Sequence, residues 1–210
     1  KDFSNKLRLG NLFVESDAHF MKLFSVLAFV AAVLTVFFEY YDRRFVYLFK
    51  PATMIFIIAL VWFCGAQKGF YRWAILLGLL FSLEGDVLLI NPQNFVSGLA
   101  SFLVAHLFYV AAFAKAGAEK FNPLALGAYL IGGALFLLIS GGVSGNLKIP
   151  VILYALAIST MLAAVLNYYL TRKTPESVFA LSGAALFVLS DSLLAFNKFG
   201  GEFALAKLLI

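Results

Sequence analysis

Long, nearly uninterrupted apolar runs dominate this chain, at residues 21–38, 46–64, 73–90, 95–114, 124–139, 149–170 and 178–196, with an eighth beginning at 203. A helix needs about 20 such residues to cross the hydrocarbon core of a bilayer. Lipid-facing β-strands would alternate apolar and polar residues, and these runs do not. Turn-forming residues separate them: Asp42-Arg43-Arg44, Asn91-Pro92-Gln93-Asn94, Phe121-Asn122-Pro123, the stretch from Gly141 to Asn146, and Thr174-Pro175. The pattern predicts an all-α polytopic membrane bundle of eight spans. The last is incomplete, because eight residues at helical rise reach only about 12 Å. Residues 21–210 are expected to form a single transmembrane domain, and the polar residues 1–20 an extension, a remnant or an interfacial segment.

Composition closes off the alternatives. Of the 210 residues, 63% are hydrophobic and 13% charged, against about 25% charged in a soluble domain. A globular domain of this size cannot hide so much apolar surface. Disorder is excluded for the same reason. The single cysteine, Cys64, makes no internal disulfide and anchors no metal cluster. The net charge of +5 comes from Lys and Arg scattered singly and in pairs between the runs, which reads as topology rather than a nucleic-acid footprint. Ten Lys and Arg fall on the side of the N-terminus and four (Arg43, Arg44, Lys148 and Lys198) on the other. Both termini are therefore expected in the cytoplasm. Span 1 runs into Glu39-Tyr40-Tyr41 with no small-residue cleavage site, so it is expected to remain as a span rather than be removed as a signal. Compactness and short loops favour a bacterial inner membrane, with endoplasmic reticulum as the other setting.

Two spans share a pattern. Residues 78–89 read GLLFSLEGDVLL and residues 183–194 read GAALFVLSDSLL. An even number of spans separates them, so Asp86 and Asp191 are expected at similar depth, as in a four-plus-four parallel repeat.

Charged groups within spans are costly, at least ~2.5–3.5 kcal/mol each at a span centre. Here they are Lys50, Glu84, Asp86 and Asp191, with His106 and Tyr154 as polar companions. Counting from span ends places Lys50, Glu84, Asp86, Tyr154 and Asp191 about 6–9 Å below the non-cytoplasmic edge, and His106 near 16 Å. A polar pocket in the outer half of the bilayer accommodates them. Glu84 and Asp86 stand about 200° apart around their helix, so an ideal helix aims only one inward. Gly78, Ser82 and Asp86 form a small-residue stripe suited to close packing, which favours Asp86. Plainer roles stay open: Lys50 in a structural ion pair, Glu84 snorkelling to water, His106 as a packing residue, Tyr154 as an interfacial anchor. Zinc hydrolysis would want three His or Cys ligands, and of the two histidines His19 lies outside the spans, which leaves His106 and the single Cys64. Ser101 and His106 are about 140° apart and make no dyad. Carboxylate chemistry remains, with two acids in unlike surroundings dividing acid and base roles.

At these residues the chain resembles the YhhN-type lysoplasmalogenases. The matching stretches are Lys50-Pro51-Ala52-Thr53-Met54, Glu84-Gly85-Asp86, Ala105-His106-Leu107-Phe108-Tyr109, Pro150 to Tyr154, and Phe187 to Ala195. The resemblance implies eight spans and hydrolysis of the sn-1 vinyl ether bond of lysoplasmalogens to a fatty aldehyde and a glycerophospho-ethanolamine or -choline. It places Asp86 and Asp191 at the site, with Glu84 able to replace either. Lys50, His106, Tyr109 and Tyr154 are its expected substrate contacts. Such a reaction proceeds by protonation at the β-carbon and capture of the oxocarbenium ion by water, with no metal or cofactor required. The implied partners are a lysophospholipid and membrane lipid, with room for a homodimer. The alternative from the residues alone is a transporter or lipid-binding protein whose acids carry protons or hold a substrate.

Overall fold

The computed structural model describes residues 2–64, 69–117, 120–143 and 145–201. Among the described residues seven α-helices follow one another: α1 (Asp2–Tyr41), α2 (Val46–Cys64), α3 (Phe70–Ile90), α4 (Phe95–Ala116), α5 (Gly127–Ile139), α6 (Lys148–Arg172) and α7 (Pro175–Phe199). The segment 2–20 is continuous with the first span in the backbone of α1. The eighth run, from 203, lies outside the described residues. Side chains such as Phe29, Leu130 and Phe179 are more than 70% exposed. Facing water they would form a large adhesive surface, and facing lipid they cost nothing. The chain is an integral membrane protein.

Six of the seven helices are long and apolar enough to cross a membrane; the fifth run is not. Its reason is local. Asn122 caps the chain with its side chain on the Leu124 amide, and Pro123 starts a four-residue 3-10 turn before the 13 residues of α5. A 3-10 turn rises about 2 Å per residue against 1.5 Å for an α-helix. The two together reach about 28 Å, close to the hydrocarbon thickness of about 30 Å. The tighter winding offsets the shorter run.

The turns are built by the residues that marked them in sequence. Asn91 accepts from the Gln93 amide ahead of Pro92. Thr174 and Ser177 form a reciprocal capping box around Pro175 at the start of α7.

The chain divides into two compact units, Lys1–Arg72 and Trp73–Ile210. In the first, α1 and α2 pair as a hairpin. Asp42 closes it, accepting from the Arg44 amide at 3.1 Å and from its guanidinium. The Arg44 side chain beside it holds the Asp42 carboxyl below its ordinary range. An aromatic seam joins the helices: Phe38 stacks on Phe49 with centroids 5.3 Å apart, and Phe24 on Phe63 at 5.9 Å.

In the second unit α6 is the hub, packed by α4, α5 and α7. Its buried residues, among them Ala157, Ile158, Met161, Leu162 and Val165, ring the helix rather than stripe it, as expected of a helix enclosed by neighbours. Ile158, Met161, Leu162 and Val165 join Ala128 of α5 and Ala184 and Val188 of α7 in one cluster. A second cluster, around Leu99, Val143 and Val151, closes the other end.

Candidate functional site

The site begins where α3 meets α4. Gly78 lies flush beneath the Tyr109 ring and Gly85 beneath Phe102, whose ring would stand 2.5 Å from a Cβ at that glycine. Larger residues would push the helices apart, so these glycines set the close approach. Between them the buried Ser82 hydroxyl pairs with the Tyr109 hydroxyl at 3.0 Å. The small-residue stripe of α3 thus packs as its spacing indicates. Asp86, one turn beyond Ser82, is half-buried and within electrostatic reach of both Tyr109 and Tyr154.

His106 sits at the centre of α4, with no exposed surface. Its Nδ1 is 2.5 Å from the Phe102 carbonyl oxygen. A carbonyl only accepts, so this contact assigns the proton to Nδ1 and leaves Nε2 an acceptor. Nε2 is buried and has no hydrogen-bond partner among the described residues. The imidazole meets three rings edge-on: Tyr154 of α6 and Phe187 of α7, both at 5.2 Å, and Tyr109 at 6.5 Å. Tyr154 in turn donates its hydroxyl to Oδ2 of Asp191 on α7. Four helices therefore contribute Asp86, His106, Tyr109, Tyr154 and Asp191 to one polar cluster inside an apolar unit. Tyr154 is no interfacial anchor; its hydroxyl is committed to a carboxylate.

The other two expected residues are placed differently. Glu84 is exposed, and its Oε2, at 3.0 Å, shares the single Ser101 hydroxyl proton with the Phe81 carbonyl, at 2.7 Å. Glu84 thus ties α3 to α4 on a flank that Asp86 does not share, as the 200° between them requires. Lys50 is half-buried on α2 of the first unit.

A cavity of about 250 Å³ opens between α5, α6 and α7. Its wall is apolar, with Leu135, Phe136, Leu162 and Val188 among the lining residues, and Tyr154 and Asp191 stand in that wall. Asp86 is not among the lining residues. Along α6 the lining runs from Val151 to Leu162, about 16 Å at helical rise. The Tyr154 level lies near the Val151 end. Ser159 and Ser192 also line it, and the sequence does not mark them. Each bonds back to its own helix, Ser159 to the Ala155 carbonyl at 2.6 Å and Ser192 to the Val188 carbonyl at 2.5 Å. Serines in membrane helices do this routinely, so no sequence signal distinguished them. Nor did any mark α5 as a cavity wall, since it carries no charge.

Comparison with known proteins gives a consistent picture. Rat lysoplasmalogenase TMEM86B (Rattus norvegicus) is 32% identical over 162 residues, covering 77% of this chain and 64% of its own length. The human TMEM86B protein (Homo sapiens) is 32% identical, covering 79% of this chain and 69% of its own. A lysoplasmalogenase from Mycobacterium tuberculosis is 32% identical over 61% of this chain and 50% of its own length. The chain thus spans about two thirds of the mammalian relatives and half of the mycobacterial one. No solved structure matches. The YhhN family profile matches residues 45–210, a stretch that includes every residue of the polar cluster, and the chain belongs to the YhhN family.

Proposed function

We propose that this protein hydrolyses the sn-1 vinyl ether bond of lysoplasmalogens, releasing a fatty aldehyde and a glycerophospho-ethanolamine or -choline. The observation that carries the reading is the apolar cavity with the Tyr154–Asp191 pair in its wall. An alkyl chain fits such a cavity, and a carboxylate partway along it meets the polar end of that chain. The relatives' names support the same chemistry.

In this reading Asp191, which accepts the Tyr154 hydroxyl, takes the charged role. It stabilises the oxocarbenium ion formed when the β-carbon is protonated and then takes a proton from the water that adds to it. Asp86 stands outside the cavity wall, so in this reading the reacting end of the substrate extends past Tyr154 toward α3, where Asp86 supplies the proton to the β-carbon. In the collapse of the hemiacetal, Asp191 passes the water proton to the departing glycerol oxygen and the hemiacetal hydroxyl returns a proton to Asp86, which leaves the aldehyde and the free glycerol hydroxyl. His106 positions the Tyr154 ring from behind. Glu84, held by Ser101, serves as a structural link rather than an acid. The protein is proposed to lie in a bacterial inner membrane, with the 115–123 and 172–174 segments on the cytoplasmic side. An eighth span and a four-plus-four repeat belong to the same reading. Within it the two related stretches differ in packing: Gly78 is covered by Tyr109, whereas nothing lies within 4 Å of a Cβ at Gly183.

The direct test is aldehyde release from lysoplasmenylethanolamine by the purified protein. The diacyl-derived lysophospholipid, which has no vinyl ether, serves as control. Aldehyde from the first alone supports the reading. Release from neither substrate by well-folded protein defeats it.

A further inference from the structure

A second groove, of about 310 Å³, lies between α4, α5 and α6 and shares no lining residue with the Asp191 cavity. Val110, Ala114, Leu126, Ala163 and Ala164 make its sides apolar and shallow-walled. At its inner end Thr160 accepts from the Tyr129 hydroxyl at 3.0 Å, which leaves the floor satisfied. At its mouth Asn167 takes the Asn122 amide at 2.8 Å and donates to the Gly117 and Lys120 carbonyls at 3.3 and 3.2 Å. That one side chain pins the start and end of the α4–α5 connection and fixes Lys120 in the groove's lining. Arg172 donates to the Ala116 carbonyl at 3.2 and 3.4 Å, which holds a second cation at the same end.

From Thr160 to Asn167 is about 10 Å along α6. The groove is therefore apolar at bilayer depth and cationic where the helices leave the bilayer. The flanking segments carry Lys115, Lys120, Arg172 and Lys173 against Glu119 and Glu176. We propose that this groove seats an acyl chain of an anionic phospholipid, with the lipid phosphate at the Lys120 mouth. Apolar depth selects a lipid over a soluble anion, and the cationic rim selects an anionic headgroup over a zwitterionic one. The proposal is independent of the hydrolytic reading, since no residue is shared.

Native mass spectrometry of the full chain in detergent tests it, with dioleoyl-phosphatidylglycerol and dioleoyl-phosphatidylcholine titrated separately. The phosphatidylglycerol adduct is expected at roughly fivefold lower lipid concentration, the factor set by one cation at a membrane surface. Lys120→Gln should remove that preference, and Ala164→Phe, which fills the groove, should remove the retained lipid. Equal retention of the two lipids overturns the proposal. So does an unchanged preference in Lys120→Gln, an exposed position whose result stands even if Ala164→Phe does not fold.

Discussion

In the proposed reaction the chemistry turns on Asp191 and Tyr154. A hydrogen bond to a charged acceptor contributes about 1.5–3 kcal/mol, and here it fixes a carboxylate in an apolar wall. Asp191→Asn keeps shape and one acceptor but removes the charge. Aldehyde release is expected to fall at least about a hundredfold, the range of acid–base catalysis, with the helical circular dichroism spectrum in detergent retained. Wild-type-like turnover would remove Asp191 from the mechanism. Asp86→Asn is expected to match it, and the double variant to lose little more than either single one, because the two act on one transition state. Losses that multiply would mean that the two acids work independently. Glu84→Gln, by contrast, should retain most of its activity. Lys50, Glu84, Asp86 and Asp191 stood out in sequence because charge inside a span is expensive, whereas which acid joined which could not be read there. Around α3 the 200° between Glu84 and Asp86 leaves only one facing inward, and the small stripe favours Asp86, the half-buried one of the two. On α6, Tyr154 reads as an ordinary interfacial tyrosine until α7 brings Asp191 to its hydroxyl.

At the scale of helices, the α3–α4 contact depends on Gly78 and Gly85. Gly78→Leu would drive a side chain into the Tyr109 ring and break its pairing with Ser82. Such overpacking costs typically about 1–3 kcal/mol; thermal unfolding followed by circular dichroism in detergent should show a lower midpoint. An unchanged midpoint would mean that α3 does not rest on Tyr109. The cavity between α5, α6 and α7 makes a second prediction. Ala155 lines it one residue beyond Tyr154, and Ala155→Phe should shift the preferred substrate toward shorter alkyl chains. Turnover measured across a chain-length series would register that shift, and a parallel loss at every length would mean that the chain lies elsewhere. Helix positions were legible from the apolar runs and their Asn-Pro and Thr-Pro punctuation. The fifth was longer in sequence than in the structure, because a capped 3-10 turn took its first residues.

For the molecule as a whole, the Lys and Arg imbalance predicts orientation. Reporter enzymes fused within the 115–123 segment should report cytoplasm and those fused near Asn91 the opposite side; the reverse result would invert the topology. By itself the amino-acid sequence determined that the chain lives in a bilayer, where the turns between its helices fall, and which polar groups it carries there at a cost. Those properties are local: hydropathy, capping and charge act over one turn or one span. Only the tertiary structure decided that Asp191 meets Tyr154 and that His106 is sealed among three rings. It also decided that an uncharged helix forms one side of the cavity. Partners on different helices are chosen by rotation and packing of whole cylinders, and a one-dimensional pattern carries no record of which faces meet.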